Sequence, residues 1–226
     1  MILQTPTPNI SSSLDFYRGL KFEKITLDDE VFVTDGKVLI KINHDRYARI
    51  GINLYKKDWS TTLEKIKNIV PVYENEKGYI IADNTGTWIY LNNNERPLLN
   101  ISDKCQSTLG NYAGVSLETI SMAQSQSLWI LLGYKVTMGG PDQGWMTMGD
   151  ENNNTISFMN PNTCPHLFFN PSLTYFNGKN NLKVIQNIRD VNIPISEEIT
   201  FFNKEGLVDN IIIRDPGGLG FFIFSD

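Results

Sequence analysis

The chain contains the stretch TPNISSSLDFY at residues 7–17, and GLKF follows at residues 19–22. The apolar side chains of this region recur near helical spacing, at Ile10, Leu14, Tyr17 and Leu20. Such spacing predicts an amphipathic helix. A serine hydroxyl in the run 11–13 is a suitable N-cap acceptor, and a glycine lies near the end of the pattern. The stretch therefore predicts a helix that starts near Ser11.

The same arrangement recurs along the chain. Further helical patterns start near Ser60, Ala123 and Asn181, which gives a loose period of about 56 residues, a quarter of the 226-residue chain. Each helical pattern follows a short strand-like run and precedes three β-rich segments that are broken by turn residues. The sequence therefore predicts four units of the form βαβββ.

A single βαβββ unit cannot bury one face of its own sheet, whereas two units can form one curved sheet with helices on its convex face. We therefore expect an α+β fold with two cup-shaped mixed sheets. The first domain is predicted to cover residues 1–95 and the second residues 111–226. The intervening segment 96–110 is polar, contains Pro97 and shows no periodicity, so it is predicted to be a linker.

Composition excludes some classes of partner. The chain has 20 Lys and Arg against 25 Asp and Glu, a formal net charge of -5, and no extended run of basic residues. Nucleic acids and anionic membrane surfaces need clustered positive charge, so neither is expected as a partner. No apolar segment approaches the length of a membrane span, and the N-terminus does not resemble a secretory signal, so we expect a cytoplasmic protein.

The opening stretch resembles the start of a vicinal-oxygen-chelate module. This superfamily includes glyoxalase I, bleomycin-resistance proteins and extradiol dioxygenases. The third unit repeats the opening around Leu128, Trp129 and Gly133, and the stretches DNTG at residues 83–86 and DPGG at residues 215–218 resemble the Asp-Pro-x-Gly turn that precedes the last strand of such modules. The resemblance spans nearly the whole chain and implies the tandem form of the fold.

The resemblance also implies where metal ligands would lie. In metal-dependent relatives they come from the first and last strands of paired modules, and these positions fall on Ile2, Gly114, Tyr90 and Phe222. None of these side chains is a good ligand for a hard divalent ion. The chain has only two histidines, of which His166 lies two residues after Cys164, a pair that offers a remote alternative as zinc ligands or as a nucleophile and base. We therefore predict no metal and no other cofactor.

Strand alternation predicts which side chains face the concave surfaces. The candidate ligand-binding residues are Gln4, Trp88, Tyr90, Ser116, Glu118, Phe222 and Phe224, together with His166 from the connection between the third and fourth units. This set is largely aromatic, which favours a flat or apolar organic ligand. The alternative is that the aromatic side chains fill each hollow as a core.

The residues leave open whether the protein is an enzyme. The leading hypothesis is a metal-independent protein that binds a small organic molecule, as bleomycin-resistance proteins do. A second hypothesis is a diverged lyase, isomerase or dioxygenase with displaced metal ligands or with Glu118 as the general base, because a carboxyl group on a half-buried strand can gain a raised pKa. A third is a non-catalytic scaffold with filled hollows. A homodimer is compatible with each of them.

Overall fold

The computed structural model describes residues 1–99, 101 and 106–225. The first half contains β1 (Ile2–Pro6), α1 (Ile10–Gly19), β2 (Glu23–Leu27), β3 (Glu30–Thr34), β4 (Leu39–Asn43), β5 (Gly51–Tyr55), α2 (Ser60–Ile66), β6 (Tyr73–Asn75), β7 (Gly78–Ala82) and β8 (Trp88–Asn92). The second half contains β9 (Tyr112–Glu118), α3 (Met122–Leu131), β10 (Lys135–Gly140), β11 (Trp145–Gly149), β12 (Thr155–Met159), β13 (Ser172–Phe176), α4 (Asn181–Asp190), β14 (Ile195–Ile199), β15 (Asn210–Arg214) and β16 (Gly220–Phe224).

The strands form two eight-stranded mixed sheets with equivalent topology. Their orders are β2-β3-β4-β1-β5-β8-β7-β6 and β10-β11-β12-β9-β13-β16-β15-β14. In every unit the first strand pairs in parallel with the last, and the first strands of the two units in a sheet pair antiparallel. This arrangement confirms the α+β fold with four βαβββ units that the sequence predicts.

One face of each sheet packs against the helices. Leu3 and Ile52 of the first sheet and Leu173 of the second lie in the same buried cluster as Tyr17 of α1 and Trp129 of α3. The helix layers of the two halves therefore share one hydrophobic core, which leaves the opposite, concave faces available for a site. The first sheet ends at Asn92 and the second begins at Tyr112.

The division into two domains joined by a linker at 96–110 stays a prediction, because a common core connects the halves. Residues 100 and 102–105 of that linker lie outside the described residues. No helix among the residues that the structure describes is long and apolar enough to cross a membrane.

Buried carboxylates tie the halves together. Among the hydrogen bonds that cross between them, three have a buried aspartate as acceptor: from Tyr17 Oη to Asp215 Oδ2 (2.9 Å), from Tyr175 Oη to Asp35 Oδ2 (2.7 Å) and from Trp129 Nε1 to Asp83 Oδ2 (3.2 Å). Burial raises the pKa of Asp83 and Asp215, although the hydrogen bonds that they accept act in the opposite direction. The turn acids that carry the family resemblance therefore have a structural role in this chain.

The N-cap of α1 differs from the sequence expectation. Asn9, not a serine of the run 11–13, caps the helix by accepting a hydrogen bond from the Ser12 backbone N–H at 3.2 Å. The Ser13 hydroxyl instead donates to Thr7 Oγ1 at 2.8 Å in the buried interior. Asn is as good an N-cap residue as Ser, so the helix begins one residue earlier than predicted.

Candidate functional site

The concave face of the first sheet forms an open pocket of about 740 Å³. Its lining combines polar and apolar surface in similar measure, and the polar residues that line it include Gln4, Glu30, Lys41, Asn43, Asn53, Tyr55, Tyr90 and Asn92. These residues come from β1, β3, β4, β5 and β8, the central strands of the sheet. Because alternate side chains of a strand share a face, the apolar neighbours of these residues point to the helices instead.

A chain of hydrogen bonds fixes the side chain of Gln4 on the pocket floor. Asn43 Nδ2 donates to Gln4 Oε1 at 3.1 Å, and Gln4 Nε2 donates to the carbonyl oxygen of Arg49 at 3.0 Å. Burial raises the pKa of the neighbouring Tyr90, although a backbone hydrogen bond from Arg49 opposes this. The phenol therefore stays neutral at physiological pH and can donate or accept a hydrogen bond.

Asn53 lies at the centre of the floor and is 5% exposed. Its Oδ1 accepts a hydrogen bond from Asn92 Nδ2 at 3.3 Å. Its Nδ2 has no hydrogen-bond partner among the described residues. A buried donor without a partner costs about 1–3 kcal/mol, so this amide is a point of local destabilisation beneath the pocket.

Two lysines and one glutamate form ion pairs at the rim of the pocket. Glu30 on β3 accepts hydrogen bonds from Lys41 on β4 and, at 3.0 Å, from Lys77 in the turn between β6 and β7. Although burial alone would raise it, these two ammonium groups hold the pKa of Glu30 below its usual value. The contact of Glu30 with Lys77 joins opposite ends of the curved sheet across the opening of the pocket.

Gly51 shapes the floor beneath Tyr90. A Cβ atom at this position would lie 2.4 Å from the carbonyl oxygen of Trp88 and 2.9 Å from Cε2 of Tyr90. Only glycine therefore allows the Tyr90 ring to lie against β5.

The second concave face is filled by the protein's own aromatic side chains. Phe168 contacts Phe222 edge-to-face with ring centroids 4.9 Å apart, and His166 contacts Phe222 at 5.3 Å and Phe224 at 5.2 Å. These contacts give the second hollow an apolar core of its own, to which Ile199 and other side chains contribute. In the first hollow Tyr55 and Tyr90 lie among polar groups beside a small apolar cluster of Ile2, Phe32 and Leu39, whereas in the second hollow the aromatic side chains pack against one another.

The segment that fills this hollow, residues 160–171, is held down by hydrogen bonds. Asn170 Oδ1 accepts from the backbone N–H of Glu118 at 2.8 Å, and Glu118 Oε1 accepts from the backbone N–H of Asn162 at 3.2 Å. The backbone N–H of Leu167 donates to Glu197 Oε2 at 2.6 Å. Anchors on both sides of the hollow thus fix the aromatic side chains above Phe222.

Comparison with known proteins identifies the fold of the chain but no family. No family model matches the chain, and no curated protein sequence matches it. Solved structures do match. The alignment with an extradiol ring-cleaving dioxygenase from B. fuscum (TM-score 0.62, 10% identity) covers 100% of this chain and 70% of the dioxygenase chain. The alignment with the 2,3-dioxygenase LapB from Pseudomonas sp. KL28 (TM-score 0.59, 14% identity) covers 98% of this chain and 89% of the LapB chain. The alignment with the 2,2',3-trihydroxybiphenyl 1,2-dioxygenase from Sphingomonas wittichii strain RW1 (TM-score 0.55, 11% identity) covers 100% of this chain and 91% of the dioxygenase chain.

These likenesses extend over the whole chain and include both sheets. The chain has the tandem vicinal-oxygen-chelate fold. At 10–14% identity the similarity establishes the architecture alone. Any function must therefore be inferred from the residues of this chain.

The residues at the expected metal positions of the fold do not fit a metal ion. In the second sheet the expected position Gly114 has no side chain, and the expected position Phe222 lies in register with Thr174, whose Oγ1 shares a hydrogen bond of 2.6 Å with Ser116 Oγ. Neutral hydroxyl groups beside a phenyl ring are poor ligands for a divalent cation. Within the described part of the chain, no group of three or more His, Cys, Asp or Glu side chains is placed to hold a metal ion.

The structure separates the sequence-predicted site residues into two groups. Gln4 and Tyr90 line the first pocket, whereas Ser116, Glu118, His166, Phe222 and Phe224 surround the second hollow. Trp88 is 39% exposed and lies outside the lining of the first pocket. Cys164 and His166 have different partners: the thiol contacts Met159 Sδ at 3.1 Å, and His166 Nδ1 contacts the carbonyl oxygen of Leu167 at 2.8 Å.

Sequence reasoning missed the other polar residues of the first pocket, Lys41, Asn43, Asn53 and Asn92. The signal that could have found them is the alternation that identified Gln4, applied to β4, β5 and β8 as well. Their residue types are also informative, since asparagine is depleted in strands and a run of inward-facing amides needs partners.

Proposed function

We propose that the protein binds a small organic molecule in the pocket of the first sheet and that this binding needs no metal ion. The observation that carries the proposal is the difference between the two concave faces. The first is an open pocket of about 740 Å³ with polar groups converging on its floor, whereas the second is packed with aromatic side chains. A concave site with a few fixed polar groups is the usual form of a small-molecule site.

Of the ligand-binding residues predicted from strand alternation, Gln4 and Tyr90 are the proposed ligand contacts. Gln4 is held by Asn43 and by the Arg49 carbonyl group, so its orientation does not need to be fixed when a ligand binds. Such preorganisation reduces the entropy cost of binding. Tyr90 offers a ring face and a hydroxyl group at the same level of the pocket.

Binding without turnover is the form of this function that the site supports best. A catalytic role for Glu118 draws no support from its position, because this side chain accepts a hydrogen bond from Asn162 in the segment that covers the second hollow. General acid-base catalysis needs the carboxyl group within reach of a substrate. The first pocket contains Glu30, but both lysines at the rim hold this group as an ion pair.

The test is a screen of chemically diverse small molecules by native mass spectrometry and thermal shift, with and without chelator. We expect a ligand that binds with one-to-one stoichiometry in the presence of chelator. The variant Ile80→Trp fills the pocket wall and should abolish binding, because Ile80 lines the pocket.

The matched control is Ile120→Trp, since Ile120 is 80% exposed in the second half and should tolerate the same change. Binding that persists in Ile80→Trp, or that requires added Zn²⁺, Fe²⁺ or Mn²⁺, would contradict the proposal. A screen in which no compound binds would also contradict it.

A further inference from the structure

The direction of the Tyr90 hydroxyl group restricts the ligand of the first pocket. This inference rests on the proposed binding function and concerns the chemical class of the ligand. Tyr90 lies on β8 and lines the pocket, and the edge of its ring reaches the backbone of β5 at Gly51. The ring therefore has a fixed place before a ligand binds, and only the O–H bond can rotate.

A chain of hydrogen bonds determines how the amide groups next to Tyr90 are oriented. The Asp45 backbone N–H donates to Asn43 Oδ1 at 3.0 Å, which leaves Asn43 Nδ2 to donate to Gln4 Oε1 at 3.1 Å. Gln4 Nε2 then lies on the opposite side of its amide and donates to the Arg49 carbonyl oxygen at 3.0 Å. A backbone N–H can only donate and a carbonyl oxygen can only accept, so neither amide in this chain can be reversed.

The protein groups that face the Tyr90 oxygen are donors, namely the Arg49 backbone N–H and the Gln4 side-chain amide. A phenol oxygen has two acceptor sites and one proton, and two donors on its acceptor side direct that proton away from them. Within the described chain the hydroxyl donates to no acceptor, yet its oxygen is not among the fully buried polar atoms without a partner. The hydroxyl is therefore accessible from the pocket that Tyr90 lines, with its proton directed into it.

We propose that the Tyr90 hydroxyl is a preoriented hydrogen-bond donor and that the first pocket selects carbonyl compounds whose oxygen accepts this bond. The body of such a ligand is apolar, because Val31, Ile42 and Ile80 line the same pocket. A ligand whose polar group can only donate would place its proton against that of the hydroxyl. Tyr90 is then a residue that determines specificity, and its fixed ring lowers the entropy cost of the bond.

The test compares acetophenone with α-methylstyrene, which has a methylene group in place of the carbonyl oxygen and nearly the same shape. Dissociation constants for the unmodified protein and for Tyr90→Phe are measured by ligand-observed NMR at pH 7. Tyr90→Phe removes only the hydroxyl group, so it should weaken acetophenone binding by about fivefold, the usual net effect of one hydrogen bond, and leave α-methylstyrene binding unchanged. The comparison of the two probes cancels the cost of removing the carbonyl group from water.

The infrared carbonyl stretching band of isotope-labelled acetophenone reports the bond directly. We expect a lower frequency in the unmodified protein than in Tyr90→Phe, because an accepted hydrogen bond weakens the carbonyl bond. The matched control is Tyr73→Phe, since Tyr73 is 65% exposed, lies outside the pocket lining and pairs with Ile80 from the side opposite to Tyr90. This variant should change neither the affinities nor the frequency, and circular dichroism verifies that each variant is folded.

An equal effect of Tyr90→Phe on the two probes overturns the proposal, and so does acetophenone binding that Tyr90→Phe or Ile80→Trp leaves unchanged. If neither probe binds while the wider screen yields a ligand that Ile80→Trp excludes, the proposed ligand class is wrong and the binding function stands. If neither the probes nor the screen yield a ligand, both proposals fail.

Discussion

Removal of the Tyr17 hydroxyl group should weaken the connection between the two halves. This hydroxyl donates to Asp215 Oδ2 at 2.9 Å, and both side chains are buried, at 0% and 3% exposure. Tyr17→Phe leaves the ring contacts with Phe16 and Phe221 in place and removes only the hydrogen bond. A hydrogen bond to a charged acceptor contributes about 1.5–3 kcal/mol, so we expect a loss of about 2 kcal/mol in the free energy of unfolding.

Urea titration followed by circular dichroism measures this loss directly. For a chain of this size, about 2 kcal/mol corresponds to a fall in Tm of about 4–8 °C. The matched control is Tyr112→Phe, because the Tyr112 hydroxyl is buried and has no hydrogen-bond partner among the described residues. Its removal should be neutral or stabilising, since no bond is lost and a buried polar group disappears.

The effect of Tyr17→Phe should depend on pH. Burial raises the pKa of Asp215, so the folded protein binds this proton more readily than the unfolded chain. The contribution of Asp215 to stability is therefore greatest below its unfolded pKa and falls as the pH rises through the raised value. Loss of the Tyr17 hydrogen bond raises the folded pKa further, so the difference between variant and unmodified protein should be large at pH 7 and shrink towards about pH 4.

Equal losses in Tyr17→Phe and Tyr112→Phe would refute this reasoning, because only the first variant breaks a hydrogen bond. A difference between Tyr17→Phe and the unmodified protein that stays constant from pH 7 to pH 4 would show that the Asp215 carboxylate is not the relevant acceptor.

Three further outcomes are expected. Gly51→Ala should destabilise the protein by about 3 kcal/mol in urea titration, since the new Cβ would lie 2.4 Å from the Trp88 carbonyl oxygen, and unchanged stability would mean that β5 and β8 can separate. Phe168→Ala should uncover Phe222 and create a second site for apolar probes, measurable as new anilinonaphthalene sulfonate fluorescence at pH 7, and an unchanged signal would show that another side chain fills the hollow. Lys77→Ala should change stability by less than about 1 kcal/mol, because its side chain is 69% exposed, yet it should speed ligand exchange in stopped-flow or NMR measurements; equal exchange rates would exclude a role for the rim contact with Glu30.

The repeat and the fold could be predicted from local patterns. Helix periodicity around Tyr17, strand alternation and turn residues act over a few neighbours in the chain, so they appear in the sequence directly. They predicted the four units, and the resemblance carried by residues 7–17 and 215–218 indicated how the units pair. The exact cap of α1 was not predicted, because Asn9 and the serines that follow it are all suitable cap residues, and only the structure shows that Asn9 caps the helix while the Ser13 hydroxyl bonds to Thr7.

The candidate site was predicted only in part. Gln4 and Tyr90, which alternation predicted, lie in the lining of the first pocket, and their role as ligand contacts stays a prediction. The sequence could not show that residues 160–171 fold back over Phe222, because this depends on long-range contacts of Asn170 and Leu167 with Glu118 and Glu197. Both hollows therefore looked alike at the level of residue types.

The sequence by itself determined the elements, their order and the lack of suitable metal ligands at the expected positions, since each of these depends on residue identity at short range. Only the tertiary structure decided which hollow is open and which is filled, and it alone left Asn53 Nδ2 without a hydrogen-bond partner in the described part of the chain. The physical reason is that hydrogen-bond satisfaction and packing are properties of groups brought together from distant parts of the chain. Asn53 and Asn92 are 39 residues apart, and Tyr17 and Asp215 are 198 residues apart.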